Sequence, residues 1–112
     1  MTFASATAYR VGDRPRGVTV LDLEGDGDLD VATANIDANT VSVLRNLGDG
    51  SFAPAVHFPT GDRPASVAAG DVDGDGDLDL VTADFGGDTV SILANDGNGG
   101  FAPPVAHRVG GS

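Results

Sequence analysis

The sequence has no cysteine, no lysine and no tryptophan. Without cysteine there is no disulfide scaffold and no thiolate metal site. Six arginines face 17 acidic side chains, which gives a formal charge of −11. A chain this acidic is repelled by nucleic-acid phosphates and by anionic lipid surfaces. We therefore expect neither nucleic-acid binding nor attraction to a membrane surface.

Long apolar runs are also missing. No stretch approaches the roughly 20 apolar residues of a membrane helix, so we expect no membrane insertion. Residues 1–15 lack the charged and apolar regions of a signal peptide, and any export signal is expected to have been removed or never present. A length of 112 residues suits one small domain or a piece of something larger.

What the chain does have is a repeat of 49 residues. Residues 3–51 and 52–100 are identical at 24 of 49 positions without a gap. The sequence Gly-Asp-Arg-Pro at 12–15, for example, returns at 61–64. Two residues 49 positions apart are called repeat partners below. A period of about 20–50 residues indicates a solenoid, propeller or array, whose single units cannot bury their own apolar faces.

Each unit predicts four strands separated by tight turns rich in Gly, Asp and Asn. The predicted strands are 18–22, 29–34, 40–45 and 52–58 in the first unit, and 67–71, 78–83, 89–94 and 101–109 in the second. Pro15 and Pro64 are expected to fix the crossover into each sheet. The fold class is therefore all-β: beta-propeller blades that are four-stranded antiparallel meanders, about two blades per chain.

Two acidic loops carry the strongest chemical signal. DLEGDGDLD at 22–30 and DVDGDGDLD at 71–79 together hold 10 of the 17 acidic residues. Crowding carboxylates costs like-charge repulsion, which favours a cation at the centre. Hard oxygen ligands in this number favour Ca²⁺ over Mg²⁺ and zinc. The alternative is a solvated acidic turn, but the identical spacing of the two copies favours a metal site.

The loops differ from an EF-hand, because their twelfth position is threonine (Thr33 or Thr82) instead of glutamate and strands flank them. In the second loop, Asp71, Asp73 and Asp75 place oxygens on one side of a turning backbone. Asp79 is expected to close the coordination sphere with both oxygens. Asp77 is expected to contribute its backbone carbonyl.

The units resemble the FG-GAP and VCBS repeats of integrin-like beta-propellers over residues 3–110. They show the pattern F-x(8)-G-D-x-P-x-x-V followed by D-x-D-G-D-G-x-x-D-L. The resemblance implies a calcium loop between the first two strands of each blade and a ring of commonly seven or eight blades. It also implies an extracellular or cell-surface setting for the parent family, with roles in adhesion, glycan binding or scaffolding.

The resemblance also implies two Ca²⁺ ions per chain and a ligand set for each loop. The implied ligands are Asp22, Glu24, Asp26, Asp28 and Asp30 in the first loop, and Asp71, Asp73, Asp75, Asp77 and Asp79 in the second. Asp28 and Asp77 act through their carbonyls. Glu24 is the one ligand that departs from the pattern, and it adds a methylene to a crowded coordination sphere.

Two blades are too few for a ring of about four to eight, so closure requires other copies of the chain. We expect a homo-oligomer with head-to-tail contacts. Three chains give six blades and four give eight, whereas whole copies cannot make seven; trimer and tetramer both stay open. The predicted function is a calcium-stabilised propeller fragment that self-assembles into a closed ring with a scaffold role. The alternative is a lectin or cell-adhesion module that recognises a glycan or an extracellular protein.

The predicted organisation has one strand too many. Residues 3–15 form a spare outer strand and crossover, 16–60 the first blade, 61–110 the second, and 111–112 an added tail. The segment FASATAYRVG at 3–12 parallels FAPPVAHRVG at 101–110, so one outer strand must stay unpaired, exchange, or displace its twin on a neighbour. This favours an excised or engineered piece of a longer array over a natural short protein.

We expect no enzyme activity, because the nucleophile-elbow, P-loop and dinucleotide-binding motifs are all missing. His57 and His107 are not repeat partners and are expected at surface strand positions.

The recurring phenylalanines (Phe3, Phe52 and Phe101) are expected to pack between blades. Arg14 and Arg63 are expected to pair with an acidic loop or to line a polar face. Aromatic residues make up only 5% of the chain, which disfavours the lectin alternative.

Overall fold

The computed structural model describes residues 9–23, 27–49, 51–97 and 100–109. These residues form two four-stranded antiparallel sheets, each a meander in chain order. The first blade consists of β1 (Pro15–Leu21), β2 (Asp30–Asn35), β3 (Thr40–Leu44) and β4 (Val56–Pro59). The second blade consists of β5 (Pro64–Gly70), β6 (Asp79–Asp84), β7 (Thr89–Leu93) and β8 (Val105–Arg108). In these ranges, there is no helix with the length and apolarity to cross a membrane.

The all-β prediction is confirmed, but the strand bounds differ at the prolines. Pro15 and Pro64 begin β1 and β5, where the sequence predicted a crossover. Proline is tolerated at the first residue of a strand because its missing N–H is not yet needed by the ladder. A shift in register follows each proline within two residues.

The fourth strand of each blade is shorter than predicted and begins at Val56 or Val105. Phe52 and Phe101 lie before these strands and form isolated bridges with Asn46 and Asn95. Prolines at 54, 103 and 104 separate bridge from strand, and they lack the N–H that a continuous ladder requires.

Among the described residues, the two arginines of the crossover contact groups outside the acidic loops, so of the two roles expected for them, pairing with a loop is not observed there. Arg14 pairs with Asp37 at 3.4 Å, and the Arg63 guanidinium lies 5.6 Å from the ring centre of Phe85. Both arginines have positive φ, 53° and 56°. Their carbonyls accept hydrogen bonds from the backbone N–H of Ile36 and Phe85, so the crossover is tied to the β2–β3 and β6–β7 turns.

The hydrophobic core lies between the two sheets, where β5 packs across the face of the first blade. Leu80 and Leu93 on the second blade are fully buried there. The Phe58 and Phe101 rings meet edge to face across this boundary, with centroids 5.2 Å apart. Packing of Phe101 between blades is thus confirmed, and both histidines lie exposed on outer strands, as predicted.

Each blade also buries a polar cluster between its second and third strands. In the second blade, the buried Asp84 carboxylate accepts hydrogen bonds from the hydroxyls of Thr82 at 2.8 Å, Thr89 at 3.0 Å, and Ser91. In the first blade, Asn35 takes the place of Asp84. Its side chain forms hydrogen bonds with the hydroxyls of the corresponding repeat partners, which are Thr33, Thr40 and Ser42. Every buried side-chain polar atom of the described residues has a partner, as a native interior requires.

Gly61 lies directly against the polar cluster of the second blade. A Cβ at this position would lie 2.5 Å from Asp84 Oδ2 and 3.0 Å from Ser91 Oγ. We therefore expect Gly61→Ala to lower the free energy of unfolding by about 1–3 kcal/mol, the usual cost of overpacking. Gly70→Ala is the matched control, since nothing lies within 4 Å of its added Cβ. Urea unfolding followed by circular dichroism compares the two, and equal losses would contradict this assignment.

Candidate metal centre

The second acidic loop connects β5 to β6 and is organised around Asp71. Its carboxylate accepts hydrogen bonds from the backbone N–H of Gly74 at 2.9 Å, Asp75 at 3.2 Å and Gly76 at 2.8 Å. These bonds, that of Gly76 foremost, hold the pKa of Asp71 below its usual value. Gly74 and Gly76 have φ of 76° and 90°, a backbone conformation that glycine adopts without steric cost. The loop backbone is thus wrapped around one ionised carboxylate.

Asp79 fixes the other end of the loop. It is fully buried at the start of β6. One oxygen accepts the N–H of Val72 at 3.1 Å, and the other accepts the N–H of Asn95 at 2.8 Å. Val72 belongs to the same loop, whereas Asn95 follows β7. Asp79 therefore connects the two ends of the loop to each other and also connects the loop to the turn after β7.

Four carboxylates of this loop converge. Asp71, Asp73, Asp75 and Asp79 each offer one oxygen, and these four oxygens lie within 4.8 Å of one another. Oxygens that each lie about 2.3–2.6 Å from a shared Ca²⁺ are at most about 5 Å apart, so this spacing fits calcium. Asp77 is half-buried and its side chain lies outside the cluster. Its predicted carbonyl ligation stays a prediction.

The electrostatics of the cluster also favour a cation. The Asp73 side chain faces that of Asp75, and this contact raises the pKa of Asp73 above its usual value; a small loss of solvation and the charges of Asp75 and Asp79 add to the effect. A carboxylate whose pKa is raised by neighbouring carboxylates is repelled by them when all of them are ionised. A divalent cation between them removes that repulsion, which a solvated acidic turn would leave in place.

The first acidic loop repeats the frame of the second. Asp22 accepts a hydrogen bond from the backbone N–H of Gly27 at 2.9 Å, and its repeat partner Asp71 accepts one from the backbone N–H of Gly76. Asp30 is 1% exposed and accepts the N–H groups of Leu23 at 3.1 Å and Asn46 at 2.7 Å. Asp28 is half-buried. The predicted ligands Glu24 and Asp26 lie outside the described residues.

The two asparagines that support the loops were missed as site residues. Asn46 and Asn95 donate their backbone N–H to Asp30 and Asp79. Their side-chain amides also donate to the carbonyls of Leu29 and Leu78, both at 3.0 Å. The sequence did contain a signal for them, because the two asparagines are repeat partners. A residue that only formed a turn would not need to be the same in both copies.

Comparison with known proteins agrees with this geometry. A family model described as an FG-GAP-like repeat matches residues 22–82, which is 61 of the 112 residues and includes both acidic loops. Neither the curated proteins nor the solved structures give a significant match. Repeats of this type are often calcium-binding and typically occur in extracellular proteins. The chain belongs to the FG-GAP-like repeat family.

Proposed function

We propose that the chain is a calcium-stabilised propeller module that self-assembles head to tail into a closed ring, with a structural and non-catalytic role. The four convergent carboxylates of the second loop support calcium binding. Asp22 and Asp30 hold the same frame in the first loop, which supports a second ion. Calcium is available to such sites outside the cell, where modules bind it with a Kd of about 10⁻⁴–10⁻³ M.

Self-assembly is supported above all by two blade faces, one on each blade, that the described residues leave partly exposed. Inside the chain, a face of the first blade packs on a face of the second. The residues in this contact are Ala32, Ala34, Val41 and Val43 on the first blade, and Val67, Ala69, Leu80, Leu93 and Phe101 on the second. The repeat partners of both sets remain apolar or small.

Those repeat partners lie on the outer faces of the two blades. On the first blade, Val18 and Val20 are 67% and 59% exposed. Their repeat partners on the second blade are more buried, since Val67 is 8% exposed and Ala69 is half-buried. On the second blade, the partners of the buried first-blade residues are half-buried or exposed (Val81, Ala83, Val90 and Ile92). Each end thus carries the chemistry of a face that is buried inside the chain. A second copy placed one repeat further along would cover it in the same way.

Calcium binding and assembly are linked through β5. The second loop leaves this strand, and β5 is the element that packs on the first blade. An ion that binds only the folded loop stabilises it by about 2.7 kcal/mol at a hundredfold excess over Kd. We therefore expect calcium to stabilise the strand that makes the contact between blades.

Light scattering tests the proposed ring directly. In millimolar calcium, we expect a mass of three or four chains, corresponding to six or eight blades. In excess EDTA, we expect the mass to fall toward one chain. A folded monomer in both conditions would overturn self-assembly, and an oligomer of equal mass in both would overturn its dependence on calcium.

The second candidate function is recognition of a carboxylate-bearing glycan or an extracellular protein. It is favoured by a cavity of about 110 Å³ between the blades, lined by Arg16, Ile36, Arg63, Ala65 and Phe85. Its two arginines and its aromatic ring suit an anionic sugar. It ranks second because ligand pockets usually measure about 300–1,000 Å³. A glycan screen in calcium, with Arg63→Ala as control, would eliminate this function if no signal exceeds background.

A further inference from the structure

We infer that two copies of the chain meet less closely than the two blades inside one chain do, and that the Ser66 side chain keeps them apart. The contact of one blade with the next is called a joint below. The inference rests on the proposed self-assembly and goes beyond it, because it names the residue that limits how closely a second copy approaches. It is carried by the close approach of β1 and β5 at Gly17.

Gly17 allows the first strands of the two blades to approach closely inside the chain. β1 packs on β5, and Gly17 shares the side of β1 that carries the buried Leu21. A Cβ built on Gly17 would lie 2.8 Å from Ser66 Cα and 3.2 Å from the carbonyl oxygen of Ala65. Both are backbone atoms of β5, which cannot turn aside as a flexible side chain does. A side chain at this position would therefore force the two strands apart.

In a joint between two copies, a serine takes the place of this glycine. Ser66 is the repeat partner of Gly17, so Ser66 meets β1 of the second copy where Gly17 meets β5 inside the chain. The backbone of Gly17 in the second copy then takes the place of the Ser66 backbone. If the two joints had the same geometry, the Cβ of Ser66 would lie 2.8 Å from that backbone. This distance is well inside van der Waals contact, so the joint between copies must be wider at these strands.

Other side chains on the outer face of the second blade match a wider joint. Three of them are larger than the repeat partners that are buried inside the chain, namely Val81 for Ala32, Ile92 for Val43 and Phe85 for Ile36. A larger side chain keeps contact across a wider gap. Phe85 is 68% exposed, whereas Ile36 is 7% exposed, so docking of a second copy would bury this ring.

The first strand of the same face shows the opposite change. Leu21 is 3% exposed in the joint inside the chain, and its repeat partner is Gly70. Ala69 packs against the same buried cluster as Leu21. Its repeat partner Val20 is larger and fills part of the space that loss of the leucine leaves. The joint between copies is therefore less well filled at its first strands, in agreement with a wider approach there.

Light scattering in a dilution series tests the role of Ser66. In millimolar calcium, we expect Ser66→Gly to lower the concentration at which the assembly dissociates by about tenfold, because removal of the Cβ relieves an overpacked contact. Ser66→Ala is the matched control. It keeps the Cβ, so its dissociation concentration should stay near that of the parent chain. Circular dichroism of each variant checks that the strand content is unchanged.

The outcomes separate this inference from the proposed ring. An oligomeric parent chain whose dissociation concentration does not change in Ser66→Gly would keep the ring and overturn the role of Ser66. Equal gains in Ser66→Gly and Ser66→Ala would also overturn it, since the hydroxyl and not the Cβ would then hold the copies apart. Monomers for the parent chain and both variants would overturn both proposals. A monomeric parent chain with an oligomeric Ser66→Gly would overturn the ring for the parent chain and support the role of Ser66.

A second measurement examines the close approach of β1 and β5 in a single chain. In EDTA, where we expect the assembly to dissociate, Gly17→Ala should lower the urea midpoint of unfolding by about 1 M, because its Cβ meets the β5 backbone. Gly70→Ala is the matched control, since it is also a glycine of a first strand and nothing lies within 4 Å of its added Cβ. Equal midpoints for the two variants would show that the strands do not approach closely at Gly17, and the inference would be wrong.

Discussion

Asp79→Ala is expected to lower the free energy of unfolding by about 2–6 kcal/mol, with or without calcium. The reason is that Asp79 is fully buried and accepts the N–H groups of Val72 and Asn95. A buried donor left without its acceptor costs about 1–3 kcal/mol, and this change leaves two. In calcium, the variant also loses a ligand, so we expect the larger loss there.

Asp75→Ala separates the role of a ligand from that of a structural carboxylate. Asp75 is exposed and faces the like-charged Asp73. Its removal should therefore reduce stability in calcium but not in EDTA, where it relieves repulsion. Asp77→Ala is the matched control, because it keeps the backbone carbonyl and its side chain lies outside the cluster. Urea unfolding of the three variants in calcium and in EDTA makes the comparison.

Two outcomes would contradict these assignments. If Asp79→Ala costs nothing in EDTA, its hydrogen bonds do not hold the loop. If Asp75→Ala costs the same in both conditions, Asp75 does not contribute through a bound ion.

The contrast between Asp75 and Asp79 also shows what the sequence reveals of the site. The repeated spacing identifies both as acidic residues of one loop, so the cluster itself is predictable. It does not reveal that Asp79 is buried, because one of the two N–H groups that hold its carboxylate comes from Asn95, 16 residues away. The same limit applies to Asp84, which ends β6 beside a turn. Its burial depends on hydrogen bonds from the hydroxyls of Thr89 and Ser91. The alternation of side chains along a strand does not show whether these two residues are buried or at the surface.

The sequence also does not predict which faces of the blades are buried. Val18 and Val67 are the same residue in the same register of the repeat, yet Val18 is 67% exposed and Val67 is 8% exposed. Local pattern is identical for the two, so the difference comes from what covers each face. The second blade packs this face against the first blade, while among the described residues the corresponding face of the first blade meets the segment before β1. The repeat therefore predicts the chemistry of a face, and the number of neighbours determines its exposure.

This pair of valines gives the sharpest test of assembly. Val67→Asp is expected to unfold the chain, because burying an unpaired carboxylate costs several kcal/mol and a domain is stable by only about 5–15 kcal/mol. Val18→Asp places the same charge on the free face, where a single chain exposes it to water. We expect its strand content by circular dichroism to be unchanged and its mass in calcium to fall to that of one chain. Val18→Ile, which keeps the face apolar, should retain the oligomer. If Val18→Asp assembles like the parent chain, the free face of the first blade is not where copies meet, and closure of the ring would need a different contact.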